Sequence, residues 1–552
     1  MSADALDTVA LELHGDAMWS HESVGEALDL VEELDMNALV FHSGDLLNCL
    51  VFPRAYFTPF SEWGAAPPRR GENAIYNARA YIAHVIARAK ARNVSFYLEL
   101  KEIGVCDEFI EMFPALTING VLCPTHPKWL EFIHARYEEL CVDFPEIAGV
   151  IVSVGSPEGR VTLASRRCQC ERCKATKPER WYGDIIDSIY EVLERHGKRL
   201  VIREFSYNRS DQQALIRGIN ALPSGVEVCI KPYARDFYPT YPDNGALALL
   251  HARSKWLEYD VNGQYYGWGV FPCPMASDLI TRLQVARSAG VTNLSMRVDW
   301  ERVNDLSALR TFNRVNLVTG ALLATGLHSK ASARDVLVHA ARLAGVISSS
   351  VSDDEAGEIS DGLLRLWPVV EKSLYIRGFV FNHSSMLPNG VVHAWWNMAS
   401  QHNLAMWAPD LAGRIDVGDP RSVREMLGEK DAAMEELRSL LPSLRRWVEG
   451  NLLAIADPCG VGDVLAWMDL YVSLFCVSAK VVILCRAATE RPRGLTVEEA
   501  DDLQAQCERL EELILRCDCY SGPTASHHPS LLTSGDLAWA IVKDGQRVLG
   551  RA

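Results

Sequence analysis

Residues Gly149 to Arg160 read GVIVSVGSPEGR. The apolar run Val150–Val154 stops at Gly155-Ser156-Pro157, and Glu158 follows at once. Continuous β-branched runs of this kind mark strands buried on both faces. Such a strand delivers one carboxylate to its C-terminal end, which in a (β/α)8 barrel is the end that carries the chemistry. A lone loop glutamate is more often a solvated one. What favours a functional reading is that other strand-like runs end in the same way.

Those runs are Val9–Leu13, Ala38–Phe41, Ser95–Leu100, Leu200–Phe205, Val226–Ile230, Trp256–Val261 and Asn293–Val298. Helix-period stretches lie between them, at Val24–Leu34, Asn77–Ala91, Trp129–Leu140, Trp181–His196, Asp211–Ala221 and Asp278–Ala289. Strands joined by helices of this length pair in parallel through right-handed crossovers. With Gly149–Val154 they make the eight strands of a closed TIM barrel, expected over residues 1–310. An open doubly wound sheet is the alternative, but no GxGxxG or Walker-type turn follows any strand. Residues 311–552 are expected to form an all-α domain, with helices at Asn316–Thr325, Ala333–Ala344, Ser360–Ser373, Val423–Glu449, Gly462–Cys485 and Thr496–Cys517. Within it, 375–411 is irregular and carries Asn382, His383, His393, Trp395, Trp396 and His402. A long loop in a compact domain is either an active-site loop or one packed by its own aromatic residues.

The chain has 552 residues, is 48% hydrophobic and carries a net charge of −16, which argues against nucleic acid and anionic membrane surfaces as partners. The start, MSADALDTVALELHG, lacks the basic and apolar regions of a signal peptide, so a cytoplasmic location is expected. The apolar stretch 463–485 contains Asp469 and Lys480 and reads as a core helix. Apolar surface on the helical domain leaves a homodimer open. Fifteen cysteines in a reducing setting point to thiols or metal ligands.

The residues after the strands are polar and aromatic: His14, Asp16 and Trp19; His42 and Asp45; Glu99, Lys101 and Glu102; Glu158; Arg203, Glu204, Ser206 and Tyr207; Lys231, Tyr233, Arg235 and Asp236; Glu258, Asp260, Asn262, Gln264, Tyr265, Tyr266 and Trp268; Arg297, Asp299 and Trp300. A deep polar pocket with aromatic walls suits a sugar. Hydrolysis of a glycoside needs one protonated carboxyl and one ionised carboxylate across the scissile bond. Glu158, flanked by the uncharged Gly155, Ser156, Pro157 and Gly159, is expected to be the acid with a raised pKa. The second carboxylate is expected from strand six or seven, as Asp236 or Asp260. Arg203, Glu204, Lys231 and Tyr266 are expected to position the sugar, with Arg203 and Lys231 available to a carboxylate. Asp299 and Trp300 complete the floor.

At these residues the chain resembles the α-glucuronidases that release glucuronic or 4-O-methylglucuronic acid from xylan fragments, which have a (β/α)8 barrel followed by a helical domain. GVIVSVGSPEG resembles their strand-four segment and places Glu158 at the general acid. IREFSYN places Arg203 at a substrate-carboxylate position, and CIKPYARDFYPTYP places Asp236 at the base. EYDVNGQYYGWG departs from the family: its second glutamate falls on Gln264, and a strand-four lysine falls on Val154. The family is inverting, which implies about 6.5–9.5 Å between the carboxyl groups.

A second resemblance concerns Cys168, Cys170 and Cys173 in CQCERC, with Cys123 in CPTHPKW upstream. Zinc-containing β-galactosidases of the same barrel superfamily have a similar arrangement, which implies a structural tetrahedral zinc. A vestigial thiol cluster and a redox switch are the alternatives. The remaining cysteines, including Cys507, Cys517 and Cys519, read mostly as buried thiols. Together these features lead to an exo-acting glycoside hydrolase on short oligosaccharides, removing a uronic acid. Two alternatives stand beside it. One is a retaining β-galactosidase-like hydrolase with Asp260 or Glu258 as nucleophile and carboxyls about 5–5.5 Å apart. The other is a carbohydrate-binding barrel without catalysis, for which the neutral Gln264 is the argument.

Overall fold

Eight runs of alternating side chains close on themselves. In the computed structural model they are β1 (Thr8–His14), β2 (Ala38–His42), β3 (Ser95–Glu102), β4 (Gly149–Val154), β5 (Arg199–Arg203), β6 (Val226–Ile230), β7 (Lys255–Asp260) and β8 (Asn293–Arg297). Neighbours run in chain order from β2 to β8, and β1 closes the ring by pairing with both β8 and β2. Barrel neighbours such as β1–β2 and β3–β4 pair in parallel, with registers such as Ala10↔Ala38 and Glu99↔Ile151. The TIM barrel expected from the sequence is the fold observed, and the strand ends differ by a residue or two. The structure describes residues 5–51, 53–56, 74–156, 158–251, 253–267, 271–300, 307–326, 331–381, 384–453, 461–518 and 535–550.

The chain divides into two compact units, one of residues 1–236, 244–259 and 283–297, the other of 237–243, 260–282 and 298–552. In the first unit, period-two alternation builds the barrel interior in layers. The middle layers are apolar and include Ala10, Ala38, Val40, Tyr97, Ile151, Val201, Cys229 and Trp256. Below them, Arg199 holds Glu227 through two bonds of 2.6 Å, and the Trp256 indole N–H donates to the same carboxylate at 2.8 Å. Two positions further along the strands the inward residue is polar: Glu12, His42, Glu99, Arg203 and Glu258 are all buried.

The second unit is mainly helical. Helices at Pro420–Glu449, Val461–Glu490 and Val497–Asp518 match the expected ones closely. The expected helix Ser360–Ser373 is instead two, Asp353–Leu364 and Leu366–Leu374. Pro368 lies in the first turn of the second, where a missing N–H costs least. A helix at Gly535–Leu549 was not foreseen. Met468–Glu490 is long and apolar enough to cross a membrane, yet 94% of its apolar window is buried inside the protein, as the core-helix reading expects. Residues 375–411 hold a two-residue hairpin, a helix at Gly390–Trp396 and short helical turns; Asn382 and His383 lie outside the described residues.

Candidate active site

The segments after β4, β5 and β6 meet a side chain from the end of β3. Lys101 Nζ donates to Glu158 Oε2 at 2.6 Å, and the Tyr207 hydroxyl donates to Oε1 at 2.7 Å. The Arg235 guanidinium lies 3.7 Å from the centre of the Tyr207 ring. Lys231 Nζ donates to Asp236 Oδ1 at 2.8 Å, and Arg235 Nη1 stands 4.0 Å from Oδ2. Phe205 packs edge-on to Tyr207 at 5.6 Å, with Lys231 Nζ 4.0 Å from its ring centre. Glu158 and Asp236 therefore share one neighbourhood, in which each carboxylate feels the other's charge.

Local backbone turns aim both acids. Gly155 takes φ 65°, and a Cβ there would meet Trp181 at 2.5 Å and Tyr182 at 2.8 Å. The Thr162 hydroxyl ties down its carbonyl at 2.7 Å, and Gly159 N bonds Ser156 O at 2.8 Å, so Glu158 rides on a tight turn. Arg235 takes φ 75°, and Asp236 N bonds Ala234 O at 3.0 Å. This is the γ-turn with positive φ, rare and strained for a residue with a side chain. It folds Asp236 back onto Lys231.

Electrostatics depart from expectation at Glu158. Burial raises its pKa, but the Lys101 charge and the bonds from Lys101 and Tyr207 outweigh burial and leave it below the ordinary value. The uncharged sequence neighbours do not set its environment, because Lys101 comes from another strand. At Asp236, burial opposes ionisation, but Lys231 and then Arg235 hold the carboxyl well below the usual range. Burial pulls Lys231 down to about 8 against the pull of Asp236.

Arg203 is not placed for a substrate. It is 3% exposed and forks onto Glu258, with Nη2 to Oε1 at 2.7 Å and Nε to Oε2 at 2.5 Å, while Nε lies 2.9 Å from Glu99. His42 Nδ1 is 2.8 Å from Glu12 and 3.2 Å from Glu99. Glu12, His42, Glu99 and Glu258 each bring one ligand atom within 4.8 Å of the others. Arg203 already supplies the cation at this centre, so it reads as a compensated ionic layer of the barrel. Burial, then the Glu12 charge, pushes Glu99 well above the ordinary carboxylate value. The Glu258 carboxylate, bound in this way, is no available nucleophile. Glu204 is buried and accepts from Asn244 Nδ2 at 3.3 Å.

Four expected residues belong to the second unit. Asp260 accepts from the backbone N–H groups of Asn262, Gly263 and Gln264 at 3.0, 3.1 and 2.7 Å. Its carboxylate is thereby committed to its own turn, against the expectation of a base or nucleophile. Gln264 Nε2 donates to Ser384 Oγ at 3.2 Å, the Tyr266 hydroxyl donates to the Asp260 carbonyl, and Asp299 is buried. In the 375–411 segment, His402 Nδ1 is 2.7 Å from the Tyr238 hydroxyl. Lys101, Tyr207 and Arg235 had been noted in the sequence without a role.

The cysteine cluster forms as the spacing implies. Cys123 Sγ is 3.7 Å from Cys170 Sγ and 3.6 Å from Cys173 Sγ, and the four ligand atoms of Cys123, Cys168, Cys170 and Cys173 lie within 4.8 Å of one another. Cys170 caps the short helix Glu171–Ala175, accepting from Cys173 N at 3.4 Å. The Trp129 indole N–H holds the Cys123 carbonyl at 2.8 Å, and that of Trp181 holds Pro124 at 2.8 Å. This group can hold a metal ion.

No protein-family model matches the chain, and no curated protein is similar to it in sequence. Among solved structures, a family GH115 4-O-methyl-α-glucuronidase with specificity for decorated arabinogalactans aligns over 99% of this chain and 61% of its own, with a TM-score of 0.46 and 11% identity. A GH138 enzyme targeting pectin rhamnogalacturonan II aligns over 94% of this chain with a TM-score of 0.59 and 11% identity. This chain spans 62% of that enzyme's length, and the two share a fold.

Proposed function

We propose that this protein is a glycoside hydrolase that removes a uronic acid from short oligosaccharides. The observation that carries the reading is the grouping at the mouth: Lys101, Lys231 and Arg235 gather about two carboxylates, Glu158 and Asp236. A mouth with this many cations suits an anionic sugar, and Phe205 and Tyr207 offer ring faces beside it. The fold shared with a GH138 enzyme that targets a pectin supports the same reading.

Glu158 acts as the acid and Asp236 as the base. In the free protein both are ionised at neutral pH. A uronate entering the mouth draws Lys101 away from Glu158, which then takes a proton from solvent. Glu158 passes that proton to the glycosidic oxygen as the bond to the anomeric carbon breaks. Asp236 takes a proton from the water whose oxygen joins that carbon, and solvent exchange restores both groups. Asp236 suits this part because its neighbours keep it charged.

The four thiols hold a structural zinc. A tetrahedron with zinc–sulfur bonds of about 2.3 Å has edges of about 3.8 Å, close to the observed 3.6 and 3.7 Å. With sulfur at all four positions, Cys123, Cys168, Cys170 and Cys173 would hold a zinc that braces the loop after β4 and leaves no position open for hydrolysis.

The test is a screen of uronate-bearing and neutral aryl glycosides and oligosaccharides, with Glu158→Gln beside the wild type. Uronic acid should be released, and the variant should lose roughly 10²–10⁴ in kcat. Full activity of Glu158→Gln, or equal turnover of neutral glycosides, refutes the assignment. Saturable sugar binding with no turnover in the wild type would establish the binding barrel instead.

A further inference from the structure

The helices Lys128–Asp143 and Pro178–Arg195 follow β3 and β4 in the first unit, and the segments that lead into them line a cavity of about 670 Å³. Glu158, Asp236, Lys101, Lys231 and Arg235 are all absent from that lining. The volume is of the size that holds small organic ligands. Trp129 and Trp181 stand buried in its wall. Their indole N–H groups donate to the carbonyls of Cys123 and Pro124, each at 2.8 Å, so both rings are fixed.

Charge in the cavity is one-sided. Arg172, Lys177 and Arg180 face a single carboxylate among the described lining residues, Asp184, which stands 3.7 Å from Arg180. Among the described residues, Arg172 and Lys177 pair with no carboxylate. The acids beside them in the chain are taken: Glu171 by Lys174 at 3.1 Å, and Glu179 by Arg217 at 3.6 Å. Glu131, on the other helix, holds Lys128 at 2.6 Å. In a chain of net charge −16, three cations gathered on one cavity set up a local field of the opposite sign. Their mutual repulsion costs stability that a bound anion would recover.

The hydrogen-bonding groups have the same bias. His126 Nδ1 accepts from Lys128 N at 3.2 Å, which leaves the ring proton on Nε2. The guanidinium, ammonium and Nε2–H groups donate and cannot accept. The partner such a lining matches is rich in acceptors and negatively charged.

We infer that this cavity is a second ligand site, separate from the hydrolytic pair, and that it takes a small organic oxyanion. Arg172 and Lys177 hold the anionic head, a phosphate or a carboxylate, through charge-assisted hydrogen bonds. The body of the ligand lies against Trp129 and Trp181. The site stands whether or not the protein hydrolyses a glycoside.

The experiment is isothermal titration calorimetry of the full chain with glucose 6-phosphate, glucuronate and glucose, which share one body and differ in charge. It is run at about 0.15 M NaCl, where diffuse attraction is screened. At least one of the two anions should bind, and glucose should not. Lys177→Gln combined with Arg180→Gln, both at exposed positions, should weaken that binding roughly tenfold or more, and Arg172→Gln alone should act in the same direction. A loss confined to glucose 6-phosphate identifies the ligand as a phosphate ester, and one confined to glucuronate identifies it as a carboxylate. Glucuronate held at the Glu158 mouth instead would be indifferent to these substitutions. Without ligand, the double variant should melt at the wild-type temperature or above it, because like charges have been removed; the anion should raise the melting temperature of the wild type alone. Binding of neither anion, equal binding of glucose, or unchanged affinity in all variants would overturn the inference. So would a ligand-free double variant that melts several degrees lower, which would make the cations structural partners of the thiol loop.

Discussion

Lys101→Met removes the cation that keeps Glu158 ionised, and the size of its effect follows from one distance. Screened as in bulk water, two unit charges 2.6 Å apart interact by about 1.6 kcal/mol, or about 1.2 pKa units. Side-chain exposures of 28% for Lys101 and 43% for Glu158 keep the pair near this water-screened figure. In the free enzyme a general acid works only when protonated, so kcat/KM falls as pH rises through the Glu158 pKa. In Lys101→Met that limb should move up by about one pH unit, with kcat on a neutral aryl glycoside rising where KM on a uronate rises too. The assay is the pH profile of kcat/KM, with direct titration of the Glu158 carboxyl by carbon NMR. The stability sign runs the other way. A carboxyl held below its unfolded value stabilises at neutral pH, and this is lost as pH falls through the folded pKa. The loss in Lys101→Met should be at most about 1 kcal/mol. A Glu158 titration that stays where it is in Lys101→Met refutes the argument.

Arg203→Met strands Glu258 and Glu99 in the barrel and should cost about 3–5 kcal/mol by denaturant unfolding; a raised KM with unchanged stability would return Arg203 to the substrate. Glu99→Gln concerns a carboxyl whose folded pKa lies above its unfolded one. Above the ordinary carboxylate range the folded state binds more protons, so stability falls as pH rises through the raised pKa; the variant should flatten that decline, and an unchanged slope assigns the proton elsewhere. Purified protein should carry one zinc per chain by elemental analysis, and chelation should lower the melting temperature by on the order of 5 °C. Absence of metal, or an unchanged melt, leaves the cysteines as plain thiols.

The barrel was legible because the buried parallel strands are short apolar runs closed by turns, with helix-period segments between most of them. The thiol cluster was legible because three of its members lie within one loop, where spacing alone limits geometry. Pairings across strands were not. Lys101 stands 57 positions from Glu158, and nothing local to GSPEG announces it. Arg203 ends a strand, as a substrate-binding arginine would, but counting by twos separates the cases. Ala10–Glu12, Val40–His42, Tyr97–Glu99, Val201–Arg203 and Trp256–Glu258 repeat one step from an apolar interior residue to a polar one. That repeat is the sequence signal of an ionic layer inside the barrel. Asp260 shows the same limit at shorter range: Asp-Val-Asn-Gly is a turn in which the carboxylate serves the backbone.

Gly155 links two parts of the molecule that chemistry treats separately. Its missing side chain lets the loop bearing Glu158 lie flush on Trp181, whose indole grips the carbonyl beside Cys123. If the sulfurs hold zinc as proposed, withdrawing it should slacken the wall behind Glu158. Turnover should then fade on chelation well before the barrel melts, a loss of function that outruns the loss of fold.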